Sequence, residues 1–353
     1  MKFSLPVPKP DSVRYDAMMN SGFEKYPERL ENYTKFKASG KKVKVDYMPV
    51  KADIENVSRC NFRCAHCLFP SYGRYSRAED LSLDDFKSFI DDQYGLVEIK
   101  IQGIGEPFLQ KEFPDMVKYA SERYIWVRTT TNGSVLHLNE NYKRIIDANV
   151  GELQVSFDGA TKETFEKIRT GADFNRIVDN CKKLNGYCRE TGIDMTRMWS
   201  VLQQQNIHEA AGLVEIAAEM GFKRLTMSLE LRDWFNTSSV AVDNKGQRLF
   251  NMGGEWIENV TEKASDCGVE LTFWFAADRF SDENICFWPF ERFLLTSDRY
   301  IVPCCIIADP SIMNLGRYED FNKLWFGEVF EEFRKTHLKG DIPMICKACY
   351  GKN

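Results

Sequence analysis

Three cysteines fall within eight residues in CNFRCAHC, at Cys60, Cys64 and Cys67. Thiolates so spaced can wrap one face of a cuboidal [4Fe–4S] cluster and leave its fourth iron without a protein sulfur, open to a substrate or cofactor. A structural zinc site fits less well, since it wants four protein ligands in paired close spacings, although a distant cysteine or His66 could complete one. A chance group of core thiols fits worst, because polar Asn61, Arg63 and His66 surround them. The tail carries a looser set: Cys286 in CFWP, Cys304 and Cys305 in PCC, and Cys346 and Cys349 in CKAC. A zinc knuckle would satisfy that closing CxxC by itself.

Such ligands need a frame, and the chain from Ala52 onward supplies one. Short β-like runs at 53–58, 96–101, 124–130, 152–157, 193–202 and 224–229 are each followed by a segment able to form an amphipathic helix, the repetition of a parallel α/β sheet or barrel. Phe174, Ile177, Val178, Cys181, Leu184 and Cys188 fall on one helical stripe, which makes Cys181 and Cys188 core thiols. Cys267, just before the apolar strand candidate at 269–276, stays ambiguous. Six βα units before residue 230 predict an incomplete barrel. Turns at Gly103–Pro107, Thr131–Gly133 and Asp158–Gly159 stand where those strands end, the end at which parallel α/β folds collect ligands. The first cysteine cluster lies at that same end. Residues 1–50, with PVPKP and KASGKKVK, read as an irregular or partly helical extension of unassigned role.

The formal net charge of −5 is spread along the chain, so composition gives no general reason to bind nucleic acid. No run approaches the roughly 20 apolar residues of a membrane span, and the start has no signal-like apolar stretch, from which a cytoplasmic protein is expected. Eleven cysteines in a reducing compartment favour metal ligation over disulfides.

Cys-x3-Cys-x2-Cys after a first strand, an EP-containing glycine turn after the second, TNG after the third and SFDG after the fourth together resemble the radical S-adenosylmethionine (radical SAM) superfamily. The resemblance implies a partial (βα)6 TIM-like barrel whose first cluster binds S-adenosylmethionine through the open iron and, on one-electron reduction, yields a 5′-deoxyadenosyl radical. It further implies that Gly103, Gly105 and Glu106 support the methionine moiety, with Ile104 standing where many relatives have glycine. Thr130 and Asn132 would line the same barrel end, Ser156 and Asp158 the ribose or substrate cavity, and His66 the adenine. A reductant such as flavodoxin or ferredoxin would be the protein partner.

The segment SFDGATKETFEKIRTGADFNRIVDN is similar to members with a small C-terminal iron–sulfur domain of the SPASM or shorter twitch type. By that likeness Cys286, Cys304, Cys346 and Cys349 form a full ligand set for a second [4Fe–4S] cluster. Intervals of 17, 41 and two residues between them resemble the twitch domain of aminocyclitol dehydrogenases, with Arg299 at an expected glycine turn. Cys305 is left over as core thiol, spare ligand or hydrogen donor. The division expected is an extension at 1–50, a radical SAM barrel at 51–285 and a twitch-type domain at 286–353.

The resulting expectation is a dehydrogenase of a hydroxyl on a small sugar or aminocyclitol-like substrate. A base, with Asp158 and Glu230 the candidates, takes the second proton, and the auxiliary cluster takes the second electron. A peptide maturase forming thioether or carbon–carbon crosslinks, or a radical epimerase, is the alternative. Such maturases often carry a winged recognition domain and a cysteine-richer tail than this one. A third reading, a non-enzymatic electron carrier, leaves the open-iron triad and the turns without a task.

Overall fold

The computed structural model describes residues 5–67, 78–229, 231, 246–247, 249, 253–274 and 279–350. Seven parallel strands run in order: β1 (Lys51–Ile54), β2 (Glu98–Ile101), β3 (Trp126–Thr131), β4 (Glu152–Ser156), β5 (Thr196–Val201), β6 (Arg224–Ser228) and β7 (Glu270–Trp274). The six strands expected before residue 230 are all present, and the apolar strand candidate that begins at Val269 supplies β7. On the other side of β1 the tail adds β8 (Leu294–Leu295), parallel to it, then antiparallel β9 (Tyr300–Val302) and β10 (Gly316–Arg317). The tail thus covers an edge that would otherwise present unpaired backbone, and it shares one sheet with the barrel.

Strand alternation decides what each face holds. Ala52, Ile54, Ile99, Ile101, Val127, Leu153 and Val155 point outward into the core beneath the surrounding helices. Their inward neighbours, such as Asp53, Lys100, Arg128 and Gln154, make the barrel lumen polar and charged. The helix Phe174–Thr191 shows why a local sequence commits to its element. Asp173 caps it by accepting from the Arg176 N–H, Gly192 ends it at φ +73°, and its stripe Ile177, Val178, Cys181, Leu184 and Cys188 is buried.

The extension has a definite position. Two helices, α1 (Ser12–Lys25) and α2 (Pro27–Ser39), lie across the barrel floor, where the strands begin. Tyr15 donates to Glu98 Oε2 at 3.2 Å, Arg14 donates to the Gly151 and Val150 carbonyls at 3.1 and 3.2 Å, and Arg197 donates to the Lys9 carbonyl at 2.9 Å. Arg14 also sits 5.3 Å over the Trp126 ring. These contacts cover part of the floor and leave the cysteine-bearing end as the mouth.

The tail is clamped by Arg334, fully buried, which donates to the Pro289 and Trp325 carbonyls at 2.9 Å each and stacks on Trp325. Trp325 in turn donates to the Tyr47 carbonyl at 2.8 Å. Arg299, at the expected glycine turn, does take the left-handed conformation, φ +66°, and ion pairs with Asp85 at 2.8 Å and Glu319 at 3.1 Å hold it. Among the described residues, no helix is long and apolar enough to cross a membrane.

Candidate active site

The cysteine loop leaves β1 and is pinned on two sides. Toward the β4 side, Arg63 N–H donates to the Thr170 carbonyl at 2.8 Å and Ala65 N–H to the Ile168 carbonyl at 2.7 Å. Toward β2, the Arg59 side chain donates to Asp80 at 3.0 Å and to the Leu109 carbonyl at 2.9 Å. Cys60, Cys64 and Cys67 are all half-buried on this loop. The Phe62 N–H donates to Cys60 Sγ at 3.5 Å. Burial pushes the Cys60 and Cys64 thiols up to about 11, so both remain protonated unless a metal supplies positive charge.

The glycine turn packs directly against that loop, which explains its composition. A Cβ at Gly105 would stand 2.3 Å from the Arg59 carbonyl oxygen, and one at Gly103 would stand 2.1 Å from the Glu55 side chain. Side chains are excluded there, and Ile104 between them is not so constrained. Glu106 is buried behind the turn. Its Oε1 accepts from the Thr131 hydroxyl at 2.6 Å and its Oε2 from the Asn132 N–H at 2.7 Å, tying the turn to the end of β3. Burial pushes this carboxyl up to about 7. These bonds make the Glu106 side chain a strut, and the neighbouring backbone is what faces the mouth. Asn132 extends the tie by donating to Asn61 Oδ1 at 2.9 Å within the cysteine loop.

Asp158 is committed in a way its motif did not reveal. It is fully buried, accepts the Val201 N–H at 2.7 Å, and lies 2.6 Å from the Arg169 guanidinium. His66 Nε2 stands 3.8 Å from the same carboxylate, and burial lowers its pKa despite that neighbour. The geometry gives Asp158 the role of fixing Arg169 and the loop end, in place of a base open to substrate. Glu230, the other candidate base, lies outside the described residues. Thr130 and Ser156 face the lumen, Thr130 donating to Gln154 Oε1 at 3.0 Å.

Below these groups the lumen is an ionic ladder. Glu98 meets Lys51 at 3.3 Å and Arg128 at 3.6 Å, Glu152 meets Arg128 at 3.4 Å and Arg197 at 3.2 Å, and Asp53 meets Arg292 at 3.5 Å. Against burial that would raise it, Lys51, Arg128 and Arg292 hold Glu98 down at about 2. Asp53 goes the other way, because its burial outweighs Arg292 and Lys100.

In the tail, Cys286, Cys346 and Cys349 pack around a small core of Phe280, Ile342 and Tyr350. The Cys286 N–H donates to the Tyr350 hydroxyl at 2.7 Å. Burial raises the Cys286 and Cys346 thiols to about 12 and Cys304 well above its ordinary value, and the thiols reinforce one another: Cys304 feels Cys346 and Cys286, Cys286 feels Cys346 and Cys349. Cys304 is coupled electrostatically to Cys346 and Cys286, so the four cysteines fit the ligand set of one four-thiolate cluster. Arg279, stacked over Trp274, Phe280 and Phe287, acts on Cys286 and Cys349, and Lys41 acts on Cys286 as well. Among the described residues, no three His, Cys, Asp or Glu converge as a cage for a single ion. A cuboidal cluster spreads its thiolates farther apart than the roughly 3.8 Å spacing that one tetrahedral zinc with 2.3 Å bonds imposes.

Cys305 joins the two regions. It is exposed, and its thiol is influenced electrostatically by Asp53, Lys100 and Arg292 of the lumen and by Cys349 of the tail. Sequence reasoning missed Arg279, Arg292, Lys100 and Asp53, which stand in no motif, and Arg169, which lies within the segment 156–180 without a role assigned to it; the only local sign for the others was charged residues alternating with apolar ones inside strands 51–54 and 98–101.

A family model of the radical SAM superfamily matches residues 54–217, and one described as an iron–sulfur cluster-binding domain, SPASM, matches 286–350. The mycofactocin maturase MftC of Mycolicibacterium smegmatis is 27% identical over 174 residues, which is 49% of this chain and 43% of the maturase. The chain therefore spans less than half of that relative's length. A probable GTP 3′,8-cyclase of Methanocaldococcus jannaschii is 24% identical over 268 residues, 72% of this chain and 85% of the cyclase. Among solved structures, Streptococcus suis SuiB bound to its precursor peptide SuiA superposes with a TM-score of 0.68 at 16% identity, covering 92% of this chain and 76% of SuiB. At that identity the likeness is one of fold.

Proposed function

From the premise that this chain belongs to the radical SAM superfamily and carries a C-terminal SPASM iron–sulfur domain, we propose that it oxidises a hydroxyl-bearing carbon of a small polar substrate held in the barrel lumen. Cys60, Cys64 and Cys67 would hold the first cluster, and Cys286, Cys304, Cys346 and Cys349 the second. The Gly103–Gly105 backbone, Asn132, Ser156 and His66 would surround S-adenosylmethionine at the mouth. When bound, these groups supply a carbon radical that removes one hydrogen atom from the substrate and an acceptor for the one electron left behind, with an external reductant providing the electron that starts the cycle.

The chain's own residues do the rest. The helices α1 and α2 would limit the entry of water from below. Asp53, the lumen carboxylate whose affinity for a proton is raised by burial, is placed to take the hydroxyl proton as the carbonyl forms. The observation that carries this reading is the position of Cys305, one residue beyond Cys304, between the lumen charges and Cys349. This supports an auxiliary cluster near enough to the lumen to take the substrate electron.

A second reading, a peptide maturase that forms thioether or carbon–carbon crosslinks, is favoured by the likeness to the PqqA peptide cyclase of Bradyrhizobium diazoefficiens, 24% identical over 51% of this chain. Anaerobic screening of sugars, hydroxy acids, aminocyclitols and short peptides with mass spectrometry separates the two. A small product lighter by two mass units, with substrate deuterium carried into 5′-deoxyadenosine, is the expected result. A crosslinked peptide supports the second reading, and unchanged mass with solvent deuterium incorporation rejects both in favour of epimerisation.

A further inference from the structure

One lysine of the basic run KASGKKVK reaches the tail site. Lys41 Nζ donates to the carbonyl of Ile285, the residue immediately before Cys286. A second cation comes from the segment that follows β7. The Arg279 guanidinium lies 4.6 Å from the Trp274 ring centroid and 5.6 and 5.1 Å from those of Phe280 and Phe287, and the Phe280 N–H donates to the Cys349 carbonyl at 3.2 Å. Trp274 faces the lumen, since it stands two residues beyond Thr272, which Arg197 reaches, and Phe273 between them is buried in the outer core. Arg279 is thus stacked between the end of β7 and the small core on which Cys286, Cys346 and Cys349 pack.

The surrounding charges show what these cations act on. Cys286 attracts both, Cys305 and Cys349 also attract Arg279, and Arg292 opposes it. Glu291 acts on Lys41 too, but it stands 3.3 Å from the Arg292 guanidinium. Among the described residues, neither Lys41 nor Arg279 forms an ion pair with a carboxylate. Both are exposed, so burial forces no partner on them; a backbone carbonyl holds one and three rings hold the other. A [4Fe–4S] cluster on four thiolates is an anion that gains a further negative charge on reduction. A fixed cation beside it therefore favours the reduced form, and local charge is one of the levers by which a protein sets such a potential.

We propose that Lys41 and Arg279 raise the reduction potential of the auxiliary cluster and so fit it to accept the electron left on the substrate carbon. This rests on the reading of the tail site as that acceptor. As the carbonyl forms, the substrate carbon gives up one electron, which the acceptor gains, and the hydroxyl gives up one proton, which goes to Asp53. Two cations at the acceptor make the electron's departure more favourable.

The test is potentiometric titration of the anaerobically reconstituted full chain, followed by electron paramagnetic resonance with and without S-adenosylmethionine. The tail signal is the one that S-adenosylmethionine leaves unchanged. In Lys41→Met and in Arg279→Gln the electron affinity of that cluster should fall about tenfold, about 59 mV for a one-electron couple, and in the double variant it should fall further. Arg279→Lys should keep most of the parent's value. The gap between parent and double variant should shrink at about 1 M salt, where the Debye length is about 3 Å. An electron affinity within about threefold of the parent's in either single variant would overturn the proposal. So would a shift that Arg279→Lys does not restore and salt does not alter, which would assign these residues to packing. If Arg279→Gln loses the tail iron, Lys41→Met, Arg279→Lys and the salt dependence of the parent decide by the same criteria. Because the potential is read without turnover, shifted potentials together with undiminished product from the Cys304 and Cys346 double variant count against the acceptor reading alone.

Discussion

Arg169 places its guanidinium 2.6 Å from the fully buried Asp158 carboxylate, and the backbone just before and after Arg169, at Ile168 and Thr170, accepts the Ala65 and Arg63 amides of the cysteine loop. One ion pair therefore sets the position of the loop that bears Cys64. Removing one partner of such a buried pair strands the other charge and costs about 3–5 kcal/mol. Arg169→Ala and Asp158→Ala are each expected to lose stability on that scale and to lose iron from the first site. Denaturant unfolding and iron analysis measure both. Full iron content and parental stability with only turnover lost would restore Asp158 to a catalytic role.

Asp53 carries the opposite expectation. It faces the lumen beside Arg292, and the Cys60–Cys67 loop hangs on other groups. Asp53→Asn should form 5′-deoxyadenosine from reduced enzyme and substrate while the oxidised product falls at least about a hundredfold, the usual scale of general-base loss. Product formation within a few fold of the parent would remove Asp53 from the mechanism.

The contrast between these two aspartates shows what was legible beforehand. The first group of candidate ligands stands out by its spacing and the tail group by its likeness to SPASM or twitch domains, because metal ligation is a property of residue type and separation in the chain. The strands could be read too, since Leu153, Val155 and Phe157 alternate with Glu152, Gln154 and Ser156. Asp158 stood in a motif at a strand end and was read as a base, yet its chemistry is set by Arg169, eleven residues on, whose approach is a tertiary event. The role of residues 1–50 was illegible for a related reason. Arg14 reaches carbonyls of Val150 and Gly151, and contacts with distant backbone leave no periodic trace. The seventh strand was visible as an apolar run, but the long interval after β6 hid its place in the barrel.

Glu106 supplies a pH dependence with a definite sign. Its carboxyl is raised from 4.5 to about 7 by burial. A raised folded-state value means stability that is fully present below about pH 4.5 and is lost as pH climbs through about 7. Relative to Glu106→Gln, which does not titrate, the parent should lose on the order of 3 kcal/mol between pH 4.5 and 8. Unfolding of both proteins across pH 5–8 measures most of that change, and parallel profiles would contradict the assignment.

The tail site is expected to act on the substrate electron and not on S-adenosylmethionine. Replacing Cys304 and Cys346 by alanine should leave reductive cleavage to 5′-deoxyadenosine in place and abolish the product lighter by two mass units. Since a metal site can contribute folding energy, the spectrum of the first cluster is recorded alongside. An unchanged product yield in the double variant would exclude the tail as electron acceptor.

The central claim is that Cys60, Cys64 and Cys67 hold a cluster that starts radical chemistry while four other cysteines hold a second. The most direct measurement is anaerobic reconstitution of the parent and of a Cys60, Cys64 and Cys67 triple alanine variant, with iron, acid-labile sulfide and 5′-deoxyadenosine quantified together. The parent should contain about eight irons per chain and form 5′-deoxyadenosine under reduction; the triple variant should contain about four and form none. About four irons in the parent, or undiminished 5′-deoxyadenosine from the triple variant, would contradict it.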